Sequence, residues 1–197
     1  MNIPFNEHVK ALAKPASAIM ESLTPMKCHL LHMEVGVTGE YLEILQEESK
    51  GTGATGMMKE VGDILFYMQG ICYTIMPDKA DWMETVLIPM ADDPESIIAY
   101  IQDDKDNREK TLLNGVEGVS VWIKRHVFYE KSDKDNPIAA LFDHLTMIAM
   151  NLGMLSRQCG FTLEEAMAEN QVKLADRYPE GAFSNEAANA RADVDTK

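Results

Sequence analysis

Two short stretches concentrate like charge: "GEYLE" at residues 39–43 and "EVGD" at residues 60–63. Each sets two carboxylates three residues apart, Glu40 with Glu43 and Glu60 with Asp63. On a helix, positions i and i+3 share a face, roughly 5–6 Å apart. Gly51, Gly53 and Gly56 lie between the two stretches, so one helix can end there and a second return antiparallel. That hairpin would bring the two pairs face to face. Most acidic pairs on helices are simply solvated. Here, however, Asp63 sits between Val61 and Ile64 in an apolar stripe, Glu60 lies at its margin, and Glu43 falls between Leu42 and Ile44. Four carboxylates at a partly buried seam repel one another and lose hydration unless a cation neutralises them. Oxygen ligands without His or Cys beside them suit a hard cation, Mg²⁺, with Mn²⁺ as a substitute. The expectation is a metal cage of Glu40, Glu43, Glu60 and Asp63.

A second group lies near the end of the chain. Asn170, Lys173 and Arg177 fall on one helical face, and Tyr178-Pro179 stops that helix. Such a stripe is most often solvated, but Asn170 continues the apolar positions Leu163 and Met167. An amide and two cations turned inward call for an anionic partner. His32 precedes the first acids and could touch a base or ribose, although a satisfied structural histidine explains it as well. Lys124, Arg125 and His126 form another basic cluster, read as surface.

The elements that must hold these groups are helical. Val61, Ile64, Leu65, Met68, Ile71, Cys72 and Ile75 recur at spacings of three and four, one face of a long helix. Leu141, Leu145, Ile148, Leu152 and Leu155 form another such run, ending near Gly160. Thr162 with Glu165 is a capping-box pattern that opens a third helix. Strand alternation is scarce, and fourteen Met suit adaptable helix packing. The reading is an all-α fold with breaks at 49–56, 87–95 and 131–137 and a fraying tail from Ala182.

A weak repeat adds to this organisation. "PASAI" at 15–19 recurs as "PESII" at 94–98, and "GVTG" at 36–39 recurs as "GVEG" at 115–118, both at the same offset. That register sets Val119 against Glu40 and Trp122 against Glu43. With a longer second loop, Asp143 falls against Glu60 and Thr146 against Asp63. The chain therefore divides into a metal-binding module over 1–90, a degenerate copy with the closing segment over 91–181, and a tail over 182–197, together one compact domain.

Bulk properties exclude several partners. The formal net charge is −14, from 32 Asp+Glu against 18 Lys+Arg among 197 residues. So acidic a surface disfavours nucleic acid and anionic membranes, whereas a free nucleotide stays accessible through a metal ion. Cys28, Cys72 and Cys159 read as buried thiols in a reducing cytoplasm. No apolar run is read as approaching a membrane span, and "MNIPFNEHVK" has no signal-peptide core. The expected location is the cytoplasm, the host's if the chain is phage-encoded.

"HLLHMEVGVTGEYLEIL", "KEVGDILFYM" and "LEEAMAENQVKLADRYPEGAFS" together resemble the MazG-type all-α nucleoside triphosphate pyrophosphohydrolases, particularly phage-type members. That group is similar in fold to the dimeric dUTPases. The resemblance implies a four-helix-bundle core, here an internally duplicated pseudo-dimer, and Mg²⁺-dependent hydrolysis of a (d)NTP to a (d)NMP and pyrophosphate. It also implies that Asn170, Lys173, Arg177 and Tyr178 contact the triphosphate. One glutamate would activate water, Glu43 by analogy, with Glu40 not separable from it. A homodimer of such chains is a further expectation. The competing class is a non-catalytic, metal-stabilised helical module that binds a nucleotide or a protein. A di- or tri-manganese oxidoreductase in a ferritin-like bundle would want E-x-x-H pairs, and the chain has none.

Overall fold

The computed structural model describes residues 3–51, 53–102 and 111–190. Among them the chain is all-α, with no strand. Helices α1 (Phe5–Leu12), α2 (Ala16–Ser22), α3 (Pro25–Lys50) and α4 (Ala54–Ile75) come first. A 3₁₀ turn (Pro77–Lys79) and a π-helical turn (Met83–Leu87) lead to α5 (Ile88–Asp92) and α6 (Pro94–Gln102). Then follow α7 (Leu112–Phe128), α8 (Ile138–Cys159), α9 (Leu163–Arg177) and α10 (Asn185–Ala190).

The long first hairpin follows from its caps. Thr24 is extended and its side chain accepts the Lys27 N–H, with Pro25 pre-set for the first turn. At the far end Gly51 takes φ 65°, which lets its N–H close on the carbonyls of Glu47 and Glu48. Gly53, at φ 79°, completes the reversal into α4. Helix α4 then buries Val61, Ile64, Leu65, Met68, Ile71 and Cys72 against its neighbours. It packs on α3, α8 and α9, while α7 pairs with α8 and also touches α3. Gly62 permits the α4–α9 approach, since a Cβ there would lie 2.5 Å from the Ala166 carbonyl oxygen. Gly153 does the same for α8 against the Ala91 carbonyl.

Several expectations change. Residues 87–95 are not a loop: helix runs through Leu87 and Asp92 and resumes at Pro94, broken only at Asp93. Asp93 precedes a proline and is held out of the helix, and its carboxylate caps the Ser96 N–H at 2.8 Å. The π turn lies just ahead of Pro89, which has no N–H for the carbonyl four residues back. The tail is not wholly frayed, because Ser184 caps α10 through the Ala187 N–H; residues 191–197 of that expected tail lie outside those described. Of the three cysteines only Cys72 is buried, whereas Cys28 is exposed. Cys28 lies two positions before Leu30 and so on the opposite side of α3 from the core. Finally, α8 is long and apolar enough to cross a membrane, with a mean hydropathy of 1.5. Its residues Leu141, Leu145, Ile148, Ala149 and Leu152 are buried in this fold against α4, α5 and α7.

Candidate metal centre

Helix α3 brings Glu40, and α4 brings Glu60 and Asp63, to one point. One carboxylate oxygen from each lies within 4.8 Å of the other two. All three side chains are half-buried, because Glu60 and Asp63 flank Val61 and Gly62, which face the core. Glu43 lies outside this trio and is exposed, not in a buried seam. Its neighbour Ile44 turns inward and Leu42 outward, so Glu43 sits on the rim. Its charge still reaches both Glu40 and Glu60.

Helix α9 covers the trio. Asn170, 6% exposed, donates through Nδ2 to Asp63 Oδ1, and Lys173 Nζ bonds both Asp63 oxygens. The ion pair is well sheltered, with Lys173 14% and Asp63 21% exposed. The inward cation expected from the sequence is therefore present, but its anionic partner in the folded chain is Asp63. Two caps fix the start of α9. One is the expected box, in which Thr162 accepts the Glu165 N–H at 3.1 Å and Glu165 accepts the Thr162 N–H at 2.8 Å. The other is Asp92, whose carboxylate accepts the N–H groups of Leu163 at 2.8 Å and Glu164 at 3.1 Å.

Burial is the main cause that raises the Glu40 pKa, to about 8, and the charges of Asp63 and Glu43 add to it. Glu60 is also raised, by burial first and then by Glu43, while its hydrogen bond from Glu40 and the charge of Lys173 pull it down. Glu40 is thus the proton holder and Glu60 the acceptor. Lys173 brings positive charge to both Asp63 and Glu60.

One neighbouring residue escaped sequence reasoning. Tyr67 lies one turn beyond Asp63, and its ring crosses α3 where Gly36 leaves no Cβ in the way. Burial, then the charges of Glu40 and Asp63, push its phenol up, and Arg177 pulls it down. The signal was present as tyrosine at i+4 from Asp63, opposite the glycine of "EVGVTGE". His32 is exposed and meets Tyr67 edge-on, with ring centroids 6.1 Å apart. Tyr178 is half-buried, and its ring lies 5.7 Å from that of Phe183. The Tyr67 phenol thus feels the charges of Glu40 and Asp63 together with those of Arg177 and Tyr178. Elsewhere, an open hollow of about 540 Å³ under the α3–α4 turn is lined by Glu47, Glu48, Met57 and Cys159. Its lining has no Lys or Arg, so it does not suit an anion.

The donor set, three half-buried carboxylates from two helices with all-oxygen ligands, is of a kind that could hold a hard divalent cation. No protein-family model matches the chain, and no curated protein or solved structure matches it either.

Proposed function

We propose that the chain is an Mg²⁺-dependent nucleoside triphosphate pyrophosphohydrolase, converting a (d)NTP and water to a (d)NMP and pyrophosphate. The observation that carries this reading is the meeting of Glu40, Glu60 and Asp63 beneath Asn170 and Lys173, with Arg177 alongside. Acids that could hold a cation and bases that could hold phosphate share one face, as cleavage of a polyanion requires.

Glu40, Glu60 and Asp63 would hold the ion, which when bound screens the phosphates and polarises the α-phosphoryl oxygen. Glu43, exposed on the rim and outside the trio, is the carboxylate left to orient or deprotonate water. Glu40, raised to about 8, is the other candidate base once its proton leaves. Lys173, Arg177 and Tyr178 would contact phosphates, and His32 with the Tyr67 ring would border the base or ribose.

The finer architecture belongs to the same proposal: a MazG-type four-helix core formed by two related hairpins, α3–α4 within 1–90 and α7–α8 within 91–181. Val119 and Trp122, opposite Glu40 and Glu43 in that register, are buried core residues without ligating atoms. One site per chain follows.

Incubation with a nucleotide panel and Mg²⁺, scored for pyrophosphate, tests the reading. Wild type should release pyrophosphate only with the ion present. Glu60→Gln should lose about a hundredfold or more, the scale of a lost electrostatic contact at a transition state. No release from any nucleotide with Mg²⁺ or Mn²⁺ would refute catalysis. One observation favours a second reading, a non-catalytic nucleotide- or protein-binding module: Lys173 already compensates Asp63 within the fold. That reading expects binding of a non-hydrolysable triphosphate by a protein that never turns one over.

A further inference from the structure

We infer that Lys173 is a built-in stand-in for the cation: it pairs with Asp63 in the folded chain and must be displaced before a divalent ion can be held there. The inference rests on the metal-site reading of Glu40, Glu60 and Asp63 and adds how that site is gated.

The geometry sets the competition. Lys173 Nζ bonds both oxygens of Asp63, and Asn170 Nδ2 takes Oδ1 as well. Every carboxylate oxygen that Asp63 could turn to an ion therefore already faces a donor. The lysine is mostly sheltered from water, so its attraction to Asp63 is weakly screened. Helix α9 cannot carry it aside, because α9 is pressed against α4 at Gly62 and anchored at its start by Asp92 and Thr162; only the side chain itself can move. An arriving ion brings two positive charges to a cluster that Lys173 has already partly neutralised. The two cations repel, and the lysine must swing off Asp63 on its flexible stem. Freed there, its three donors would be available to a phosphate oxygen. Loading the site and arming the phosphate-binding cation become one event.

The competition predicts that removing the charge, while keeping the stem, improves metal binding. Lys173→Met should bind Mn²⁺ about tenfold or more tightly than wild type, each 1.4 kcal/mol being a factor of ten. The readout is free Mn²⁺ by paramagnetic resonance, with no nucleotide present. Lys173→Arg, which keeps a cation over Asp63, should stay near wild type. In chelator, Lys173→Met should melt below wild type, since Asp63 loses its counter-charge, and saturating Mn²⁺ should close that gap. A purely structural role for Lys173 expects equal or weaker Mn²⁺ binding in Lys173→Met. That result, with wild type still binding, would overturn the stand-in and leave the metal site intact. Absence of Mn²⁺ binding in both proteins would overturn the metal site and the inference together.

Discussion

At the scale of single residues, the acid cluster is a site whose comfort depends on pH. The folded-state pKa of Glu40 is raised to about 8, well above its unfolded value. The folded form therefore holds a proton that the unfolded chain releases near pH 4.5. Its contribution to stability is fully present below that lower value and is lost as pH rises through about 8. Glu60 and Tyr67 are shifted in the same direction. Denaturant midpoints measured in chelator should therefore fall as pH climbs from mildly acidic to beyond 8. Glu40→Gln, which fixes the neutral form, should flatten that decline; an unchanged slope would remove Glu40 as its source. The meeting of Glu40, Glu60 and Asp63 was legible, because a spacing of three on an amphipathic stripe is a local pattern, but the exposure of Glu43 on the rim was not. What Lys173 does was not legible, since its pairing with Asp63 depends on how one helix crosses another 110 residues away in the chain.

At the scale of elements, helix ends and close crossings decide where α9 lies. Asp92→Ala removes an acceptor from two N–H groups of its first turn and should destabilise by about 1 kcal/mol. Urea unfolding would measure it, and the loss should be additive with that of Thr162→Ala only if the two caps act independently. Gly62→Ala sets two effects against each other. Alanine favours the helix by roughly 0.5–1 kcal/mol, but its Cβ would meet the Ala166 carbonyl at 2.5 Å and Asn170 Cβ at 3.0 Å. A backbone carbonyl cannot yield cheaply, so overpacking of about 1–3 kcal/mol prevails. The variant should be less stable and should lose the Asn170 and Lys173 contacts with Asp63; a more stable protein would mean that α9 is free to shift. The capping box at Thr162 and the glycine stops at Gly51 and Gly160 were legible, being short-range chemistry. Asp92 was not, because it caps a helix some seventy residues downstream.

For the whole molecule, the all-α class followed from periodicity alone, and the long runs of α4 and α8 lie where that periodicity put them. The short elements escaped notice: α1 and α2 bury no residue, and the apolar period of α1, Phe5, Val9 and Leu12, spans only about two turns. Trp122 tests the division of labour between the two hairpins. It is 3% exposed, its Nε1 donates to the Pro137 carbonyl at 2.9 Å, and it stacks on His126. Trp122→Ala should destabilise by about 3–5 kcal/mol, while the protein that stays folded keeps its Mn²⁺ affinity. Calorimetric unfolding together with ion titration would measure both, and a large loss of affinity per folded molecule would tie the α7–α8 hairpin directly to the metal.

The separation of Asp63 from Lys173 also has a meaning in time. On a ribosome, Asp63 emerges 110 residues before the lysine that pairs with it. At typical elongation speeds of about 5–20 residues per second, that interval is roughly 5–20 s. Throughout it, any early hairpin carries Glu40, Glu60 and Asp63 together with no lysine over them. If the trio holds a divalent ion, as proposed, the nascent hairpin could take it up before Lys173 is made to compete for Asp63.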